Sequence, residues 1–392
     1  MTQDPYVLGF YFKHLFWILI GFFSYGMLFN LIKKTDRLWI ELIVIVTIPS
    51  LLGVTGLSTQ LESIFYGVDI AFAIMVPVLG FLLMLNLHRF TNLRFNRPFA
   101  GFFVMIFTLA TAGFISLAEM ASDLYLGTNL LVNNQDLMRD FLSIFSGGIV
   151  MGFFFSWFMK TKAKDIIHDP NQDLVEDYDA PSYIVSFLLE QGVGDKGGRW
   201  APLTSRLLQG IILIFIVVGL VIGEIRWMFS SFICLIITFT PTIVTRNLQI
   251  YLPPLVNLLI VLALFLHVMG GFLGFYDHLW WWDHLIHIFA STLIAVLGTV
   301  LLLSVELHAD SLYLPGKFIS IFILMFVMAI GVIWEMYEYT VDTFFGTSMQ
   351  YNLNDTIIDL ISNMFGGIIA AILGHKYFHP LAKMIRTPTK SS

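Results

Sequence analysis

The sequence predicts an all-α polytopic membrane protein of about 11 transmembrane helices, arranged as two parallel five-helix repeats plus one linking helix. Three observations predict it. Of the 392 residues, 57% are hydrophobic and 12% charged, a balance too apolar for a water-soluble domain. The apolar residues fall in continuous runs long enough to cross a bilayer as helix, unlike the short alternating segments of an outer-membrane barrel. Finally, residues 119–149 recur without a gap as residues 338–368, with 11 identities over 31 positions, which is the signature of an internal duplication.

Taken in order, apolar runs near 11–32, 38–57, 64–87, 99–122 and 137–159 make up a first unit, residues 1–159. The first run is long, lacks a small-residue cleavage site and is followed by Lys33, Lys34 and Arg37, so it reads as a retained helix. Residues 160–205 are the one sizeable polar stretch and read as a cytoplasmic linker, with 160–180 solvated and 181–191 a helix lying on the inner surface. The run near 206–225 is the linking helix of a segment 206–227. A unit with an odd number of crossings, repeated in tandem without inversion, needs one additional crossing of this kind. Runs near 228–245, 253–274, 284–305, 316–337 and 356–376 form the second unit, which with a cytoplasmic tail fills residues 228–392.

Orientation follows from the basic residues. With the N-terminus outside and the C-terminus cytoplasmic, 18 of the 21 Lys and Arg lie on the inner side, and only Lys13, Arg139 and Arg226 lie outside. The expected location is therefore a plasma or inner membrane, crossed many times. A net charge of −6 and basic residues scattered over several loops exclude a nucleic-acid groove, so the lipid bilayer is the expected partner. The single Cys234 rules out an intramolecular disulfide and a cysteine-cage metal site.

Every acid of the first duplicated window falls on an acid of the second: Glu119 on Glu338, Asp123 on Asp342, Asp136 on Asp355 and Asp140 on Asp359. Acids within membrane helices are costly, and their retention in both copies calls for a physical reason. Capping alone explains Asp136, Asp283 and Asp355, because an acid in the first helical turn gains about 0.3 to 2 kcal/mol from free amides and the helix dipole. Glu119, Asp123, Glu335, Glu338 and Asp342 lie at helix C-terminal ends, against the dipole, and need a compensating partner.

Helical spacing then groups the candidates. Asp355, Asp359 and Asn363 stand at i, i+4 and i+8; Asp283 and His287 at i and i+4; Glu338 and Asp342 share a face that Glu335 can join. These eight residues form one polar site facing outward, with His287, Glu338, Asp342 and Asp359 as the set suited to a divalent cation such as Zn, Mn or Mg. The first copy retains the acids but has Ala73 opposite His287, Ser116 opposite Glu335 and Ile144 opposite Asn363, so one working site is expected, in the second unit. His278 and His284 flank the Trp280-Trp281-Trp282 run and read as interfacial residues, and His267 as a packing histidine. Gly147-Gly148 and Gly366-Gly367 read as close-packing positions between helices.

Pro241-x4-Arg246, Trp282-Asp283-x3-His287, Trp334-Glu335-x2-Glu338-x3-Asp342-x3-Gly346 and Asp355-Thr356-x2-Asp359-x3-Asn363-x2-Gly366 together carry a resemblance to the YjdF-like inner-membrane proteins and, more distantly, to the VanZ-like family. It spans about residues 206–376, and the first unit looks like a diverged second copy. The resemblance implies no established activity for YjdF-like proteins, and for VanZ-like ones an association with glycopeptide resistance at the cell envelope. Three functions stay open: a metal-assisted enzyme acting on a membrane lipid or envelope precursor, a cation- or proton-coupled transporter built from parallel repeats, and a structural protein whose acids pin helices together.

Overall fold

A computed structural model describes residues 5–31, 37–55, 57, 69–161, 200–243, 254–308, 312 and 314–386. The described chain is a bundle of helices: α1 (Pro5–Leu31), α2 (Arg37–Val54), α3 (Ile70–Phe90), α4 (Arg97–Leu126), α5 (Asn134–Thr161), α6 (Trp200–Ile222), α7 (Ile225–Ile237), α8 (Pro254–Phe272), the single turn α9 (Phe275–His278), α10 (Trp282–His308), α11 (Gly316–Phe345) and α12 (Leu353–Arg386). Nine described helices are long and apolar enough to cross a membrane, and two shorter apolar stretches, Ile43–Val54 in α2 and Val256–Phe272 in α8, accompany them. All 11 expected crossings thus have a helix, and the chain is an all-α, multi-pass membrane protein. Most of the linker 160–205, including the expected surface helix 181–191, lies outside the described residues, as do Lys33, Lys34 and Arg246.

Local chemistry sets the helix ends. Asp69 caps α3 by accepting a 3.1 Å hydrogen bond from the Phe72 amide, and Asn96 caps α4 through the Phe99 amide at 3.0 Å. α4 and α11 are each 30 residues long and stop at glycines in the left-handed region, Gly127 at φ 68° and Gly346 at φ 64°. α11 therefore runs eight residues past its expected end at 337. Its polar last turns depress an apolar reading, but nothing ends the helix before Gly346. Gly223, at φ 80°, makes the tight turn that folds α7 back on α6.

The main core is continuous across the two halves. Phe99 and Phe103 of α4 meet Phe322 of α11 at ring separations of 5.6 and 6.2 Å, and Phe81 of α3 stacks on Phe155 of α5 at 3.9 Å. A Cβ at Gly113 would stand 2.6 Å from Met328 Sδ, so the absence of a side chain lets α4 approach α11 closely. A second, smaller core of Ile212, Cys234 and Val268 joins α6 to α7 and α8, reinforced by the Phe215–Phe272 stack at 4.7 Å. The opposite face of α6 exposes Leu213, Ile214, Val217 and Val221, the apolar surface that lipid solvates.

One end of the bundle collects the loops. Gly9 in α1 lies beside Asn129 and Leu130 of the α4–α5 loop. Arg226, just after the α6–α7 turn, donates to the Ser348 carbonyl at 3.1 Å, and Tyr351 donates to Asp277 at 2.8 Å. Burial and the Asp277 carboxylate together push the Tyr351 phenol above its usual range, which keeps it a donor in that contact.

Candidate functional site

At the loop end, α10 and α12 are drawn together by Gly366, where any Cβ would collide with Ser291 and approach the Ile288 carbonyl to 2.6 Å. The close approach sets His287 of α10 against two residues of α12. Its Nε2 lies 3.3 Å from Asp283 Oδ1 and 3.7 Å from Asp359 Oδ1, and its Nδ1 lies 3.3 Å from Asn363 Oδ1. One donor atom each from Asp283, His287 and Asp359 fits within 4.8 Å of the others. Gly331 of α11 leaves the space that Asn363 fills, since a Cβ there would be 2.7 Å from its Nδ2.

His284 joins this group from the opposite side, its Nδ1 3.9 Å from Asp359 Oδ1. Neither of those two atoms has a hydrogen-bond partner among the described residues, although both are buried. Separations of 3.3 to 3.9 Å exceed a good hydrogen bond. They fit donors arranged around one small cation, because ligands about 2.1 Å from a tetrahedral ion stand roughly 3.4 Å apart.

Glu335 and Glu338 lie on α11, the helix that packs against both α10 and α12. Glu335 is fully buried; its Oε2 accepts from Gln350 Nε2 at 3.1 Å, while Oε1 has no partner among the described residues. Gln350 in turn accepts a 2.6 Å hydrogen bond from Asn134 of α5, so a residue of the first half steadies an acid of the second. Glu338 accepts from the Trp334 indole at 3.0 Å.

Two of the eight expected residues serve elsewhere. Asp342 Oδ1 accepts from the Thr347 hydroxyl at 2.6 Å and the Met349 amide at 2.7 Å, and Oδ2 accepts from the Gln350 amide at 2.9 Å, so this carboxylate closes the α11–α12 loop. Asp123 does the same for the α4–α5 loop, accepting from Thr128 at 2.6 Å, Leu130 at 2.8 Å and Leu131 at 2.9 Å. Asp355 caps α12, accepting from the Tyr351 amide at 3.2 Å while its own amide donates to Asn352. The donors close enough together to share a cation are Asp283, His287 and Asp359, whereas helical spacing alone favours His287, Glu338, Asp342 and Asp359. Capping is not the whole of Asp283, which turns to His287.

His284 escaped the sequence reading because the tryptophan run drew it to the interface. Its i, i+3 spacing from His287 was the available signal. Gln350 gave none, since nothing in its neighbourhood ties it to Glu335. His267 is the packing histidine expected, with Nε2 2.9 Å from Ser230 and Nδ1 2.6 Å from Tyr276. Burial pushes the Tyr276 phenol up, so it stays protonated beside Nδ1. In the first half Asp69 is an N-cap, the Ser116 hydroxyl bonds back to the Ala112 carbonyl, and Ile144 is buried in the core.

Fold and site thus define a multi-pass membrane protein with a buried acidic and histidine centre in its C-terminal half. Residues 203–380, α6 through most of α12, match a family described as "Predicted membrane protein (DUF2238)". The chain is also similar to a Thermotoga maritima protein described as "Uncharacterized protein", at 29% identity over 164 residues, which is 41% of this chain and 83% of that relative. No solved structure matches the chain.

Proposed function

We propose that this is a metal-assisted membrane enzyme that acts on the polar part of a membrane lipid or cell-envelope precursor, and that its C-terminal half is YjdF-like. The observation that carries this reading is the convergence of Asp283, His287 and Asp359 within 4.8 Å, with an Asp359 oxygen and the His284 ring nitrogen lacking hydrogen-bond partners among the described residues. Acid residues held this deep in a membrane helix bundle repel one another unless a cation or an imidazolium offsets them. Asp283, His287 and Asp359 would hold the ion, which supplies Lewis acidity and an activated water. Glu335, whose Oε1 has no hydrogen-bond partner among the described residues, would accept or return a proton.

The centre belongs to α10, α11 and α12 and does not straddle the two halves, which supports catalysis over a transport path between repeats. The test is elemental analysis of the detergent-purified protein. Near-stoichiometric Zn or Mn in the wild type, lost in His287→Ala and in Asp359→Asn, is the expected result. Full retention of metal in both variants, or none in a wild type purified without chelator and supplied with each ion, would sink the proposal in favour of helix pinning.

A further inference from the structure

His287 and Asn363 also line one end of a partly open cavity of about 390 Å³ bordered by α7, α8, α10, α11 and α12. Along α10 its lining runs from Ile286 to Leu301, a rise of about 22 Å at 1.5 Å per residue. The two ends differ in chemistry. His267, His287, Ser291, Trp334 and Asn363 stand at the loop end, and beyond them the lining is Ile, Leu, Val, Ala and Phe as far as Thr240. Protein interiors leave few voids wider than a water molecule, and an aliphatic wall offers water no partners, so a cavity of this size and length is shaped for an apolar guest.

Small residues maintain the shape. Ala263 and Ala290 set back the walls of α8 and α10, and a Cβ at Gly298 would press to 2.7 Å on Phe326. We infer that the cavity holds an acyl chain of a membrane amphiphile, with that molecule's polar group at the His287–Asn363 end. This deepens the enzyme reading by naming its substrate class, and it rests on that reading only for the chemistry at the polar end. A polar bond of the amphiphile near its first chain carbons would then lie beside His287, whose Nε2 faces Asp283 and Asp359, while the chain fixes its depth.

The experiment uses the full-length protein in lipid nanodiscs and a palmitoyl monoglyceride carrying a diazirine at its chain end, a neutral probe whose capture does not depend on a bound cation. Photolabel is expected at the far end of the cavity, on residues 297–301 and 326–330, and excess unlabelled monoglyceride should remove it. Ala263→Phe and, separately, Leu297→Trp should each reduce labelling at least tenfold with metal content unchanged, the retained metal showing that each variant is folded. Labelling confined to lipid-facing positions such as Leu213 or Ile369, equal in wild type and both variants, would overturn the inference. Because Asp359→Asn removes the proposed metal and leaves the cavity intact, its labelling should match the wild type. A protein that labels normally but never binds metal refutes the enzyme reading alone, and one that binds metal without cavity labelling refutes the chain site alone.

Discussion

Asp342 and Asp359 lie 17 residues apart and are both duplicated acids, yet their surroundings assign them opposite energetic roles. Asp342 receives three hydrogen bonds from the loop it closes, so removing it leaves two amides and a hydroxyl without their acceptor. Asp342→Ala should lower stability by about 2–3 kcal/mol, as loss of charge-assisted hydrogen bonds does, while sparing metal content. Asp123→Ala should cost a similar amount through the matching loop of the first half. Asp359 has an oxygen with no hydrogen-bond partner among the described residues, so Asp359→Asn should abolish metal binding and leave the metal-free protein as stable as the metal-free wild type, or more so. Thermal unfolding in detergent, with and without chelator, separates the two classes. If Asp342→Ala were silent in stability but lost the metal, the loop role assigned to it would be wrong.

At the scale of helices, paired glycines decide how near two backbones come. A Cβ at Gly147 would collide with the Ala73 carbonyl of α3, a backbone atom that cannot rotate away, whereas one at Gly148 would stand 3.2 Å from the Thr108 side chain. Gly147→Ala should therefore cost about 1–3 kcal/mol of overpacking, and Gly148→Ala much less because Ala favours helix over Gly. Comparing the two melting temperatures tests this, and equal shifts would contradict the backbone contact. The packing role of these glycines was legible because a Gly-Gly pair inside an apolar run has few other uses. Of the duplicated acids in the second half Asp359 faces His287 while Asp342 and Asp355 serve the loop and the cap, and the i, i+4 spacing of Asp283 and His287 puts them on one face. Spacing within a helix does not say which neighbour that face meets, so the pairing of His287 with Asp359 and Asn363 across α10 and α12 was only a grouping until the helices were placed. The loop duties of Asp342 and Asp355 were hidden for the same reason, because their partners are backbone amides, which every sequence supplies alike.

Across the whole molecule the two halves meet along α4 and α11, helices of equal length ending in the same left-handed glycine, and Asn134 reaches from one half to Gln350 beside Glu335 in the other. We propose that residues 38–159 and 253–376 are parallel repeats related by rotation about an axis along the membrane normal, the first now supporting the site of the second. Asn134→Ala should then weaken metal binding several-fold without removing a ligand, read as a shift in a metal titration, and an unchanged affinity would leave the first half without a part in the site. Parallel repeats also fix a sidedness. The α1 start, the α4–α5 loop, the α6–α7 turn and the α11–α12 loop share one end of the bundle, and we propose, from the excess of Lys and Arg in the opposite loops, that this end faces outside. Cys234 is fully buried, so the native chain gives a low background for thiol labelling. In intact cells a membrane-impermeant maleimide should label Val132→Cys and Asn354→Cys and leave Gln172→Cys untouched until the membrane is opened. The three positions must behave as a set, since an odd number of crossings separates each loop from the linker. Labelling of Gln172→Cys from outside, with the other two protected, would invert the protein and turn the acidic centre toward the cytoplasm, where an envelope precursor would have to be met before its export.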